Sequence, residues 1–388
     1  MHFRSKSAYP VYMSIGNIPK DICNKPTQCV QMLLGYIPTT QLEQIKNKVE
    51  WHRALANLFH TCMLKILSPI EQYGETGIAM ATGDGVWDRC HLILATFVGD
   101  YPEQSLVTCT HYGRCPKCTV QQDELANYQT FPARDIQAAV DTFSSCDANP
   151  TTFHAACRWA NLKSMYHPFW ERLPFTNIFL SITPDILHQL HQGISKYLIR
   201  WLIQFWGEEI DACCSRLPPN HNAWHFYKGI TMLSNLTGQE HKDICRIILG
   251  LVADLTLPGN QSARLTRAIR VLLDFIYLSQ YSVHATKSLN TLDDALCRFY
   301  EDKDIFIKLG ARQHLNLPKL HSLTHYWRSI VLFGAADNYN TEQSEQLHID
   351  FTKNAYKATN FKEELKQMVT WLQRYEAMRQ WVVFMKLR

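Results

Sequence analysis

Along the chain the hydrophobic pattern changes period, and the changes mark out the elements. Residues 8–18 (AYPVYMSIGNI) have strand composition and end in an Asn-x-Pro turn, and 29–38 (CVQMLLGYIP) reads as a second strand closed by proline. From Thr40 to Leu67 the apolar residues Leu42, Ile45, Val49, Leu55, Leu58, Phe59 and Met63 recur at helical spacing. The pattern predicts one long helix, capped by Thr39 or Thr40 and ended by Pro69. Two strands follow, IAMATGDG (78–85) and CHLILATFVGD (90–100). The second is a nearly continuous apolar run, as expected of a strand buried on both faces, and it leaves Asp100 at its C-terminal tip. Ligand sites of open α/β sheets lie outside such strand ends. Residues 121–150 are polar and predict loops with one short helix, and 158–175 are aromatic and turn-rich. From Thr183 onward the period is helical. Thr183 caps, Pro184 takes the first turn, and Ile186, Leu187, Leu190, Ile194, Leu198, Trp201, Leu202 and Phe205 line one face up to Gly207. Similar patterns at 242–255, 263–281 and 292–309 make this an α-helical block, with no internal repeat and no low-complexity linker.

Composition bounds the picture. The 388 residues, 46% hydrophobic and 12% aromatic, can bury a substantial core in two or three structural units. A net charge of +4 is compatible with nucleic acid without identifying it. Thirteen cysteines with one isolated CxxC and no N-terminal signal pattern point to a reducing compartment and to metal-binding or structural thiols. Lys196 and Arg200 interrupt the best apolar run below the roughly 18 residues that a membrane span needs.

The candidate chemistry gathers around residues 317–360. In HSLTH, His321 and His325 stand one helical turn apart and could bind one Zn²⁺ if two more ligands came from elsewhere. Two hydrogen-bonded core histidines would give the same pattern. A matching pair exists in CPKC, where Cys115 and Cys118 flank a tight turn. Asp100 stands fifteen residues before Cys115 (115 − 100), and Glu345 twenty after His325 (345 − 325). A zinc joining the two motifs would bring these carboxylates into one neighbourhood. Otherwise Asp100 is a solvated turn residue. Glu342, three residues before Glu345 and next to Thr341, suits helix capping, whereas Glu345 lies one turn deeper. Asp185-x-x-His188 falls in the first turn of a helix, where Asp185 is either a simple cap or a functional residue. Lys353 and Lys357, with Tyr356 beside them and Lys362 and Lys366 beyond, form a basic edge that could follow a phosphate backbone or simply be solvated.

The strings PVYMSIGNIPKDICNKPTQCV, VGDYPEQSLVTC with CPKC, LPFTNIFLSITPDILHQLHQGI, LPKLHSLTHY and DNYNTEQSEQLHIDFTKNAYKATN resemble, over nearly the whole chain, the Plavaka transposases of fungal DNA transposons, related to the CACTA group. The resemblance implies a DDE transposase of α/β class. Its ribonuclease H-like mixed sheet, incomplete at the N-terminus, is followed by a large α-helical insertion and a C-terminal catalytic helix. The implied boundaries are 1–130 for core strands and CxxC loop, 131–315 for the insertion, and 316–388 for the His pair and returning helices. The order of aspartate, CxxC, His pair and glutamate is also similar to the catalytic subunit of the V(D)J recombinase and its relatives. There the CxxC and His pair bind one structural zinc, which carries over to Cys115, Cys118, His321 and His325. The DxxH motif of CACTA-type enzymes falls on Asp185 and His188.

Two catalytic Mg²⁺ ions in such enzymes are held by three carboxylates. Asp100 and Glu345 supply two, with Glu342 in support. The first aspartate would precede residues 8–18, where MHFRSKS has no acidic residue, and Asp84 sits in an edge turn. The expectation is therefore a truncated transposase or a shortened gene model, inactive alone. DNA, as transposon ends and target, is the implied partner, with a homodimer, no membrane and a nuclear location. The alternatives are a domesticated zinc-stabilised DNA-binding or protein-interaction module without catalysis, and an unrelated helical scaffold in which CPKC and HSLTH lie far apart.

Overall fold

The computed structural model describes residues 2–387 apart from 4, 5, 24, 26, 27, 29, 41, 148, 254, 258 and 260. The chain is mixed α/β, mostly helical with small antiparallel sheets, and divides into two compact units: Met1–Pro69 with Glu342–Arg388, and Ile70–Thr341.

In the first unit Tyr9–Met13 pairs antiparallel with Met32–Ile37, from Tyr9 opposite Ile37 to Met13 opposite Met32, with a register shift between Val11 and Tyr12. The predicted start of the second strand at Cys29 lies outside the described residues. Tyr12, Leu33 and Tyr36 pack on a small core of Phe351, Ala355, Met368 and Leu372. The Tyr36 hydroxyl donates to the Phe351 carbonyl.

The long helix runs Lys48–Thr76, later at both ends than its pattern predicts. It starts after Asn47, whose side-chain oxygen accepts the N–H groups of Val49 (2.9 Å) and Glu50 (3.4 Å), and asparagine is a stronger cap than threonine. It continues through Pro69, and the carbonyl that proline leaves without its helical donor, Lys65 O, accepts the Ser68 hydroxyl at 3.2 Å.

In the second unit Ile78–Ala81 pairs with Trp87–Cys90 around a turn in which Asp84 accepts the Thr82 hydroxyl and the Val86 N–H. Gly85 there has φ +84°, a left-handed conformation that a side chain would strain. The expected buried strand over 90–100 is not formed as a regular strand. Beyond Cys90 the segment makes one isolated parallel bridge, Phe97 with Ile182. It has no flanking strands among the described residues, so several of its side chains stay exposed. Among the described residues the sheets are three antiparallel pairs, not one mixed sheet.

The helical block forms as the pattern predicts, with shifted ends. Thr183 and Pro184 precede the helix they were expected to start: Asp185 is the cap, a π-helix covers Ile186–Ser195, and an α-helix follows over Lys196–Trp206. Helices Gly238–Ala253, Gln261–Leu278 and Thr286–Asp302 share one core with it, through Leu190, Leu198, Ile248, Leu272, Phe299 and Phe306 among others. The single helix expected over 292–309 breaks after Asp302, whose carboxylate accepts Arg264 Nε and an Arg267 guanidinium nitrogen, each at 3.0 Å. Among the described residues no helix is long and apolar enough to cross a membrane.

Candidate functional site

The CPKC loop is held by hydrogen bonds of its own. Lys117 N–H donates to Cys115 Sγ (3.3 Å), Thr119 N–H to Pro132 O (3.0 Å) and Arg134 N–H to Lys117 O (3.1 Å), while Arg134 Nε donates to Cys115 O at 3.0 Å. These bonds hold both thiols inward, each 2% exposed. The histidines come from a tight segment, helix Pro318–His321 followed by a 3-10 turn Ser322–His325, and not from one uninterrupted α-helix. Their rings lie 5.0 Å apart.

Cys115 Sγ is 3.2 Å from His325 Nε2, and Cys118 Sγ is 3.2 Å from His321 Nε2. All four ligand atoms lie within 4.8 Å of one another. Tetrahedral zinc, with bonds of about 2.3 Å to sulfur and about 2.0 Å to nitrogen, spaces neighbouring ligand atoms by roughly 3.6 Å, so the two Cys–His pairs stand within about half an ångström of the spacing of a Cys₂His₂ site. Burial alone would raise the Cys115 thiol, but the Cys118 hydrogen bond and the His325 imidazole outweigh it and hold Cys115 well below the ordinary value. The hydrogen bond to Cys115, with burial, pushes Cys118 up. Burial keeps His325 low, hence a neutral ligand. Metal binding requires deprotonated thiols and neutral imidazoles, so a divalent cation here would displace thiol protons.

From this loop hydrogen bonds reach the two segments that carry Asp100 and Asp185. Lys117 is buried, pushed down to about 8 by that burial, and donates to Leu180 O (3.2 Å) and to Ile182 O. The same 180–183 stretch meets the segment before Asp100: Phe97 N–H donates to Ser181 O at 2.9 Å, and the Gln104 amide donates to Gly99 O and Thr183 O, each at 2.9 Å. Two parallel segments thus deliver Asp100 and Asp185. Asp100 caps helix Tyr101–Val107 by accepting Glu103 N–H at 2.9 Å, instead of ending a strand.

Asp185 is 1% exposed. Its carboxylate accepts the His188 N–H (2.7 Å), His188 Nδ1 (2.9 Å), the Thr341 N–H (3.0 Å) and the Thr341 hydroxyl (2.8 Å). The Tyr326 hydroxyl donates to its carbonyl at 2.9 Å. Burial would raise Asp185, yet the hydrogen bonds from His188 and Thr341 hold it below the usual carboxylate value. Lys319 donates to His188 O at 2.8 Å; burial holds it below the ordinary lysine value, and the charges of Asp100 and Asp185 act against that shift. Its aliphatic stem passes where a Cβ on Gly193 would sit, 2.8 Å from Lys319 Cδ, so that position admits only glycine without a shift.

Glu342 and Glu345 lie on helix Thr341–His348 and belong to the first unit, whereas Asp100, the Cys/His cluster and Asp185 belong to the second. Glu342 is half-buried and Glu345 exposed. Lys353 and Lys357 are exposed as well, and helical turns run without a break from Thr341 to Lys357, with a π-helical stretch over Ile349–Asn354, before the separate helix Glu364–Leu387. Gln104, Lys117, Lys319 and Thr341 were not singled out as site residues from the sequence. Lys117 stood inside the CxxC, Lys319 two residues before His321, and Thr341 beside Glu342 at the expected helix start.

No curated protein matches the chain. A family model described as Plavaka transposase matches residues 1–202, a span that includes Asp100, Cys115, Cys118, Asp185 and His188. The chain belongs to the Plavaka transposase family.

Proposed function

We propose that this transposase-family chain supplies the catalytic region of a DDE-type enzyme that cleaves and joins DNA strands. Family membership implies a transposase that binds DNA. Support for the finer reading comes from the acidic residues together with the Cys/His cluster, in an element order of antiparallel pair, long helix and extended segment ending in Asp100. That order is compatible with a ribonuclease H-like core.

Asp100 and Glu345 would contribute hard oxygen ligands to Mg²⁺. Asp100 suits that role because one carboxylate oxygen, Oδ1, serves the helix cap, which fixes the direction of the other. Such ions, when bound, polarise the scissile phosphate and stabilise the leaving oxygen. Glu342, in the first turn, supports the helix start and its dipole. Cys115, Cys118, His321 and His325 would hold a structural Zn²⁺ that ties residues 115–118 to 321–325 across about two hundred residues of sequence. Lys353 and Lys357 would contact phosphates. A two-metal site of this kind takes a third carboxylate beside Asp100 and Glu345. A nuclear location and a homodimer follow from the same reading.

The observation that carries the proposal is the family match over Asp100 and the CPKC loop, combined with the convergence of that loop on His321 and His325. A domesticated, zinc-stabilised DNA-binding module without catalysis would share the cluster but not the metal dependence of cleavage. The test is Mg²⁺-dependent nicking by the chain, alone and with an added N-terminal segment bearing an aspartate. Mg²⁺-dependent nicking in either form supports the proposal; DNA binding without nicking in both selects the module.

A further inference from the structure

Among the described residues a second set of ligand atoms converges away from the Cys115 cluster, on Cys146, Asp147 and His167. Cys146 and Asp147 form the 3-10 turn Ser145–Asp147 that ends helix Ile136–Ser144. His167 comes from a separate loop, anchored just beyond by the fully buried Phe169 and Trp170. Cys146 Sγ lies 3.6 Å from His167 Nε2, the sulfur-to-nitrogen spacing of roughly 3.6 Å that tetrahedral zinc imposes. The Asp147 carboxylate is 3.8 Å from the same nitrogen, and the three ligand atoms all lie within 4.8 Å.

Two further observations separate this group from a chance surface cluster. First, the far side of the imidazole is fixed: His167 Nδ1 is 3.1 Å from Glu171 Oε2, while Glu171 Oε1 accepts the Ser144 hydroxyl at 3.4 Å. A carboxylate on Nδ1 holds the ring proton there and leaves the Nε2 lone pair facing the thiol and Asp147, as zinc-ligating histidines are held. Second, His167 has φ +50°, a left-handed backbone that is uncommon for a side-chain-bearing residue and persists where surroundings enforce it.

We propose that Cys146, Asp147 and His167 form a second zinc site, with Glu171 positioning His167 and the fourth coordination place open to water. One thiolate, one imidazole and one carboxylate match a borderline ion such as Zn²⁺ and not Mg²⁺ or Ca²⁺. Cys146 is buried, whereas Asp147 and His167 are exposed, so the ion has a route from solvent. Binding would lock the end of helix Ile136–Ser144 to the loop before Trp170.

The test counts zinc on the full-length chain after equilibration with Zn²⁺ and dialysis. Wild type should hold one zinc more per chain than Cys146→Ser or His167→Gln, and Cys115→Ser should lose a different equivalent, so that the losses add in Cys115→Ser/Cys146→Ser. Glu171→Gln should weaken the second equivalent by about 10- to 100-fold in a chelator competition, without abolishing it. Because Cys146 is buried and its replacement can disturb folding, the exposed His167→Gln is decisive, with circular dichroism as its folding control. A folded His167→Gln that binds as much zinc as wild type, with the same affinity, overturns the site.

Discussion

The carboxylate of Asp185 accepts both the backbone N–H and the hydroxyl of Thr341, at 3.0 and 2.8 Å, across 156 residues of sequence. The same carboxylate caps the helix Ile186–Ser195 through the His188 N–H. One acidic side chain therefore fixes the starts of two helices, the second of which carries Glu342 and Glu345.

Asp185→Ala should cost about 3 kcal/mol, because it strands several buried donors at once. The pH dependence has a definite sign. Asp185 is held below the usual carboxylate value, so its contribution is complete above an unfolded value near 3.9 and is lost as pH falls through the folded one. Urea denaturation of wild type and Asp185→Asn should show a wild-type advantage that is constant from about pH 5 upward and shrinks at lower pH. An advantage that does not change down to the acid limit of folding would contradict an ionised Asp185.

Replacing Cys115 by serine should remove one equivalent of zinc and destabilise the second unit, since structural zinc carries on the order of 10 kcal/mol of apparent binding energy. Limited proteolysis should then cut near 321–325. Unchanged zinc content in a folded Cys115→Ser protein would show that these four residues hold no ion.

Charge reversal at both Lys353 and Lys357 should weaken DNA binding and reduce the slope of log affinity against log salt by about 2, one for each phosphate no longer neutralised. Fluorescence anisotropy between 50 and 200 mM salt reads both quantities. Equal affinity with an equal slope would make these lysines an ordinary solvated edge.

Local chemistry was legible in the sequence where neighbours along the chain decide the outcome. The strand compositions at 9–13 and 32–37, the helical periodicity after Asp185, and the metal-ligand types at Cys115, Cys118, His321 and His325 could all be read there. What failed depended on partners distant in sequence or on a single side-chain bond. Apolar continuity suggested a buried strand ending at Asp100, but a strand needs neighbours, and the one bridge partner among the described residues is Ile182. Pro69 signalled a helix end, but the helix runs on to Thr76 and the Ser68 hydroxyl serves the carbonyl that proline leaves without a donor. Lys319 and Thr341 stand beside recognisable signals, but their contacts with the aspartates arise only after folding.

The most direct test of the proposed catalytic role is Mg²⁺-dependent nicking of DNA by the chain extended with an aspartate-bearing N-terminal segment, compared across wild type, Asp100→Asn, Glu345→Gln and Glu342→Gln. Loss of a metal ligand should lower the rate by at least about a thousandfold in the first two variants, equivalent to roughly 4 kcal/mol of barrier, while Glu342→Gln only slows the reaction. DNA binding and zinc content should stay unchanged throughout. Undiminished nicking in both Asp100→Asn and Glu345→Gln would contradict the account.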